Sequence, residues 1–419
     1  MGRVKPETGA PGHRGTGVAL LLIAAVRLCG CAPLSAQNPD GVQRITRDII
    51  PQVERAVGLK FKRQPVVAVR SRDQLRAYLE RKVRNEYPPA ELRAEERAYR
   101  AFRLVADTVD LLKMQLDLLQ EQVAGFYDPD STTLFVIAGG DPMTLRAVIS
   151  HELVHALQDQ YTNLNAILHA RRQSDRQTAG QAVMEGQATV AGMLAITNLT
   201  AAQLADRWDQ VRSSVRDQQE SFGQLGAAPL ILRESLLFPY IAGAEFILGF
   251  ETRRTDPDVQ PYNARLPVST EQILHASRYT AGERPAKVAI APSPGDTLVY
   301  DDDFGEFGAR VALQSWGASE PDAIAAAAGW NGDRYVILGT RAGTALVWAT
   351  AWDTPQDGVD FERALRRAWA GTAQGRANAA SRRWQVDTLD VAGVKVVRLV
   401  DAPTAWTGWS RLPAPRVSR

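Results

Sequence analysis

Two histidines four residues apart, with a glutamate beside the first, are the residues of this 419-residue chain best suited to chemistry: His151-Glu152-Leu153-Val154-His155. On a helix, residues four apart lie on one face, one turn from each other. Two imidazoles so placed can share one Zn²⁺ at about 2.0–2.1 Å. Glu152 sits about 100° around the helix from His151. There a carboxylate flanks the metal and can take a proton from the water bound to it. Ile149, Leu153 and Ala156 fall on the opposite face, as expected of a helix that buries one side and offers ligands on the other.

A catalytic zinc takes three protein ligands and keeps one position for water. A third histidine six residues after His155 is excluded, because Tyr161 stands there. His169 and Glu185 are the two candidates left. Glu185 is favoured: it is the only glutamate between His155 and Glu220, and it lies in Ala182-Val183-Met184-Glu185-Gly186-Gln187-Ala188. Small neighbours let a second helix come close enough to the first for a carboxylate to bridge. Hydrolysis at a carbonyl also needs a donor for the oxyanion. His275 is the foremost candidate, with Tyr240 and Tyr279 behind it. Asp159, one turn past His155, is placed to orient an imidazole from behind.

HELVHALQDQ followed by a helix with Met-Glu-Gly-Gln-Ala resembles the gluzincin pattern of metallopeptidases. More narrowly, it is similar to a group of bacterial secreted proteins or lipoproteins. These combine HELxHALQDQ with a downstream EGxA helix and a segment like Ser269-Thr270-Glu271-Gln272-Ile273-Leu274-His275. The likeness spans residues 125–279. It implies a zinc ion held by His151, His155 and Glu185, with Glu152 as general base. The reaction it implies is hydrolysis of a peptide or amide bond in a peptide or protein substrate. Two other functions stay open: a zinc amidase acting on a non-peptide or cell-wall substrate, and a non-catalytic zinc-containing binding protein. Glu152 speaks against the second, since a purely structural zinc has no use for a base beside it.

The elements that must position these residues are read from periodicity and turn residues. Helices are expected at 41–59 and 72–85, with more between 89 and 119, and a strand near 65–69. Asp128-Pro129-Asp130-Ser131 is turn chemistry inside a hairpin whose second strand is 132–137. The resemblance to gluzincins implies a sheet edge for that strand, where an extended peptide could pair along it, the alternative being that it only completes the sheet. Helices follow at 142–159, 178–197, 201–220 and 230–248. Strands at 335–338 and 344–349, a helix at 360–370, and a closing hairpin of 384–389 with 394–400 complete the chain. The fold class expected is α+β: a mostly helical gluzincin-like catalytic domain with a small sheet over 41–280, then an α+β C-terminal region over 287–410. Asp301-Asp302-Asp303 reads as a solvated acidic turn, and Trp316, Trp330, Trp348 and Trp352 as core.

Hydrophobic residues make up 45% of the chain and charged residues 23%, as in an ordinary globular protein. A net charge of +2 without a long basic run argues against nucleic acid as a partner. At the N-terminus, Arg3, Lys5 and Arg14 precede the apolar run 17–26 (GVALLLIAAV), the pattern of an export signal. Cleavage after Ala36 makes residues 1–36 the signal and releases a soluble protein. Alternatively Leu28-Cys29-Gly30-Cys31 resembles a lipobox, which makes residues 1–30 the signal and leaves Cys31 as a lipid anchor to a membrane. Either way the protein is expected to work outside the cytoplasm, and the mature chain has no disulfide available.

Overall fold

The computed structural model describes residues 24–26, 39–139, 142–220, 223–256, 258–373 and 381–418. The fold is α+β, as expected. Its first part runs β1 (Ala24–Val26), α1 (Pro39–Val57), β2 (Val66–Arg70), α2 (Arg72–Glu86), α3 (Pro89–Ala101) and α4 (Leu111–Gln122). Then come β3 (Val123–Asp128), β4 (Thr133–Ile137), α5 (Pro142–Gln158), α6 (Leu164–Leu168), α7 (Ser174–Ile196), α8 (Ala201–Ala205) and α9 (Trp208–Glu220). Further helices are α10 (Gly223–Ala227), α11 (Leu230–Arg253), α12 (Thr270–Leu274) and α13 (Ala276–Ala281). The C-terminal part holds β5 (Lys287–Ile290), β6 (Thr297–Asp302), α14 (Gly305–Ser315), α15 (Glu320–Ala327), β7 (Trp330–Thr340) and β8 (Gly343–Trp352). It closes with α16 (Pro355–Ala373), β9 (Arg382–Val391), β10 (Val394–Pro403) and β11 (Pro415–Ser418).

The first sheet has the order β1-β3-β4-β2. β3 and β4 form the expected hairpin, with Phe126 opposite Phe135. β2 lies parallel to β4, Val67 opposite Leu134, with α2 to α4 in the crossover between them. β4 is therefore an internal strand, and the expectation that it forms an edge is corrected. Periodicity shows that a segment is a strand and is silent on which strands flank it. Alternation along the hairpin splits its side chains between two layers. Phe126, Phe135 and Ile137 pack with Leu75, Leu79 and Leu116 of α2 and α4. Tyr127, Leu134 and Val136 face the main core with Leu145, Ile149 and Leu153 of α5. The expected export signal lies outside the described residues apart from Ala24–Val26, which pair antiparallel with β3. The lipobox also lies outside them. No helix among the described residues is long and apolar enough to cross a membrane.

The second sheet is antiparallel, in the order β6-β7-β8-β10-β9. Val336, Leu338, Val347, Val396 and Val400 form one face, under β5, β11 and Trp406. The other face brings Tyr335, Ile337, Trp348 and Leu399 into the core shared with the N-terminal part. Phe102, just past α3, sits edge-on to Phe304, Tyr335 and Trp348. Trp316 Nε1 donates to the main-chain oxygen of Phe102 at 2.8 Å. The four tryptophans expected in the core are there, each at most 5% exposed. One apolar core thus runs through both parts.

The helix expected at 201–220 is two, α8 and α9, and α7 begins at Ser174, ahead of expectation. α7 has no side-chain cap at Gln173. Its first amides are instead satisfied from the C-terminal part: Ser174 N–H donates to Asp302 at 3.0 Å and Asp175 N–H to Asp303 at 2.8 Å. Carboxylates at a helix N-terminus answer both its free donors and its dipole. Asp302 is buried, so the reading of residues 301–303 as a solvated turn is also corrected.

Candidate metal centre

The predicted ligands meet between α5 and α7. His151 Nε2 stands 3.1 Å from Glu185 Oε2 and 3.1 Å from His155 Nε2. His155 Nε2 is 3.4 Å from Glu185 Oε2. Donors bound to a tetrahedral ion at about 2.0–2.1 Å stand roughly 3.3 Å from one another. The donor set of two imidazole nitrogens and one carboxylate suits zinc. Glu185 Oε1 is buried and has no hydrogen-bond partner among the described residues. By these tests the residues fit a zinc ion. Among the described residues the group counts three protein donors, which leaves a position for water or substrate.

Close helix packing builds this meeting point. A Cβ on Gly186, next to Glu185, would lie 2.2 Å from the backbone of Gly243 on α11. A Cβ on Gly243 would lie 2.1 Å from the carbonyl oxygen of Ala182. The two helices therefore touch backbone to backbone, and α11 presses α7 toward α5. β3 closes on α5 in the same way: a Cβ on Gly125 would lie 2.4 Å from Val148 and 3.6 Å from Cγ of Glu152. Every residue from Val148 to Gln158 is buried. The expected two-faced helix is corrected accordingly: α5 is enclosed by α1, α7, β3 and β4, and its polar residues occupy an interior site. Glu152 is fully buried beside the histidines.

His155 Nδ1 donates to Gln158 Oε1 at 2.8 Å. Gln158 is thus the residue behind the imidazole, not Asp159, whose carboxylate accepts from the Tyr127 hydroxyl at 2.8 Å. Sequence reasoning missed Gln158, although a residue three beyond His155 shares its helix face.

The structure brings His151, His155 and Glu185 together, with a buried Glu152 next to His151 in α5, and does not bring His275 to them. His275 Nε2 pairs with Glu306 of α14 at 2.8 Å. The α12 segment before it is tied to the first turn of α7, where Thr270 N–H and hydroxyl donate to Asp175 at 2.8 and 2.5 Å. Asp175 precedes Glu185 by ten residues, about 15 Å along a helix. His275 thus belongs to the junction with the C-terminal part. His169 pairs with Glu86 at 3.3 Å and with the carbonyl of Asn165 at 2.8 Å, so it is not the third ligand. Tyr279 donates to the carbonyl of Arg265 at 2.9 Å. Tyr240, on α11, has its ring 6.0 Å from that of His151 and inclined by 24°. A second carboxylate group, Glu271, Glu283 and Asp353, surrounds the guanidinium of Arg278, which bonds Glu283 at 2.7 Å and Asp353 at 2.5 Å. An arginine already occupies the place a cation would take.

A family model described as a domain of unknown function (DUF8575) matches residues 296–408. That span covers β6 to β10 with α14 to α16 and contains none of the three metal-site residues. No curated protein and no solved structure matches the chain.

Proposed function

We propose that the protein is a zinc-dependent hydrolase that cleaves peptide bonds. The observation that carries this reading is the mutual approach of His151 Nε2, His155 Nε2 and Glu185 Oε2 within 3.1–3.4 Å, next to a buried Glu152. His151, His155 and Glu185 would hold the zinc, which would supply Lewis acidity towards a bound water and the carbonyl under attack. Glu152 receives the proton of the attacking water and passes it to the leaving amine. Enclosure of α5 keeps the carboxylate of Glu152 in a site of low dielectric, which strengthens its action on a neighbouring proton. Tyr240 takes the role first given to His275, as donor to the oxyanion, because its ring lies against that of His151. The resemblance to gluzincins agrees with the peptide substrate, and the signal-like pattern of the N-terminal sequence with action outside the cytoplasm.

The test is cleavage of a mixed peptide library by the mature protein, with Glu152→Gln alongside. Cleavage by the wild type and its loss in the variant support the reading. A wild type that cuts no peptide, or a variant that cuts as well, overturns it.

A further inference from the structure

The bond from His155 to Gln158 is the first link of a longer chain. Gln158 Nε2 donates to Gln187 Oε1 at 3.0 Å, and Gln187 Nε2 donates to Gln260 Oε1 at 2.8 Å. Gln260 Nε2 then donates to the main-chain oxygen of Val57 at 3.0 Å. The links come from α5, α7, the segment between α11 and α12, and the last residue of α1. All four side chains are buried, and Gln260, the most exposed of them, is 8% exposed.

The chain has a direction, and one end sets it. A main-chain carbonyl can only accept, whereas a carboxamide accepts at one end and donates at the other. Facing Val57, Gln260 must turn its nitrogen outward and offer its oxygen to Gln187. Gln187 must then offer its oxygen to Gln158, and Gln158 its oxygen to the ring of His155. A reversed amide anywhere would set two donors or two acceptors face to face in the interior, at about 1–3 kcal/mol for each buried group left unsatisfied. Gln158 Nε2 also donates to the carbonyl of Met184 at 3.1 Å, which holds the last amide in the same sense. His155 must therefore carry its proton on Nδ1. Its Nε2 is left as a bare lone pair, and this is the atom that faces His151 and Glu185.

We propose that Gln187 and Gln260, together with Gln158, are positioning residues: they hold His155 in the Nδ1–H tautomer and so keep Nε2 ready to ligate a metal. The metal clause rests on the zinc reading above, whereas the tautomer follows from the hydrogen bonds alone. The chain also explains three buried glutamines that no other feature of the site requires. Partners behind a ligating histidine are generally worth about 10–100-fold in metal affinity.

The experiment is a ¹H–¹⁵N correlation of the histidine side chains in the metal-free mature protein near pH 8. It is paired with zinc titration against a chelator, on wild type, Gln158→Leu, Gln187→Leu and Gln260→Leu. The wild type is expected to show His155 as a single Nδ1–H tautomer. In Gln158→Leu that preference is lost and zinc binds roughly 10–100-fold more weakly. In the other two a second tautomer becomes detectable and zinc binding weakens by about tenfold. A wild-type His155 protonated on Nε2 overturns the proposal even where a variant fails to fold. Folded Gln187→Leu and Gln260→Leu proteins with an unchanged tautomer overturn it too, as does an unchanged zinc affinity. A wild type with the Nδ1–H tautomer that takes up no zinc sinks the zinc reading and leaves the tautomer claim standing.

Discussion

Gly186 of α7 and Gly243 of α11 meet backbone to backbone, one residue past Glu185. A methyl group on Gly186 would stand 2.2 Å from the carbonyl carbon and oxygen of Gly243. Backbone atoms cannot turn away as a side-chain tip can, so the helices must part. Gly243→Ala is expected to cost about 1–3 kcal/mol or more of stability and to weaken zinc binding by moving Glu185 off the histidines. Gly371→Ala, on α16 with nothing within 4 Å of a new Cβ, is the control. It is expected to leave zinc binding unchanged and to stabilise by up to about 1 kcal/mol. Chemical denaturation and chelator titration of both variants check the pair.

Tyr240 gives a kinetic prediction. Its ring lies along that of His151, and its hydroxyl is the oxyanion donor proposed above. Tyr240→Phe keeps the ring contact and removes the donor. Steady-state rates are expected to show kcat lowered by about 10²–10³ with KM little changed and zinc content unaltered, the signature of an interaction made in the transition state. A fall in zinc content instead would mark Tyr240 as a packing residue.

Glu271 gives a prediction about pH. Burial and the nearby Glu306 push its carboxyl up to about 8, with Arg278 opposing. A carboxyl whose pKa is raised in the folded state favours folding while it stays protonated. That contribution is complete below its ordinary value of 4.5 and is lost as the pH rises through about 8. Glu271→Gln mimics the protonated form. Wild type and variant should be equally stable near pH 5, and the variant should be the more stable above pH 8. Urea denaturation at the two pH values measures this, and a variant less stable than wild type at the higher pH would contradict it.

What could be read from the amino acids depended on how local the determinants were. His151, Glu152 and His155 share one helix turn, so their spacing alone announced the site. Glu185 could be singled out because the neighbouring stretch holds no other glutamate and is rich in small residues, which is the physical condition for helices to touch. Contacts made across the fold left no such mark. The burial of α5 on all sides depends on α1, β3 and α7, and periodicity along α5 cannot report them. Asp302 and Asp303 cap a helix that begins after a gap of more than a hundred residues behind them in the chain, so three aspartates in a row looked solvated. His275 was favoured as a donor on residue type, and only the bond to Glu306 shows where it is spent. The hairpin of β3 and β4 was legible from its turn and β2 as a strand near 65–69, whereas the parallel pairing of β2 with β4 was not.

Metal content decides whether His151, His155 and Glu185 hold a zinc ion. Elemental analysis of the purified protein, beside Glu185→Ala and Glu152→Gln, is the measurement. One zinc per chain is expected in the wild type, one in Glu152→Gln because that residue is no ligand, and loss of zinc in Glu185→Ala. A wild type without zinc, or a Glu185→Ala protein that holds zinc as tightly as the wild type, would contradict it.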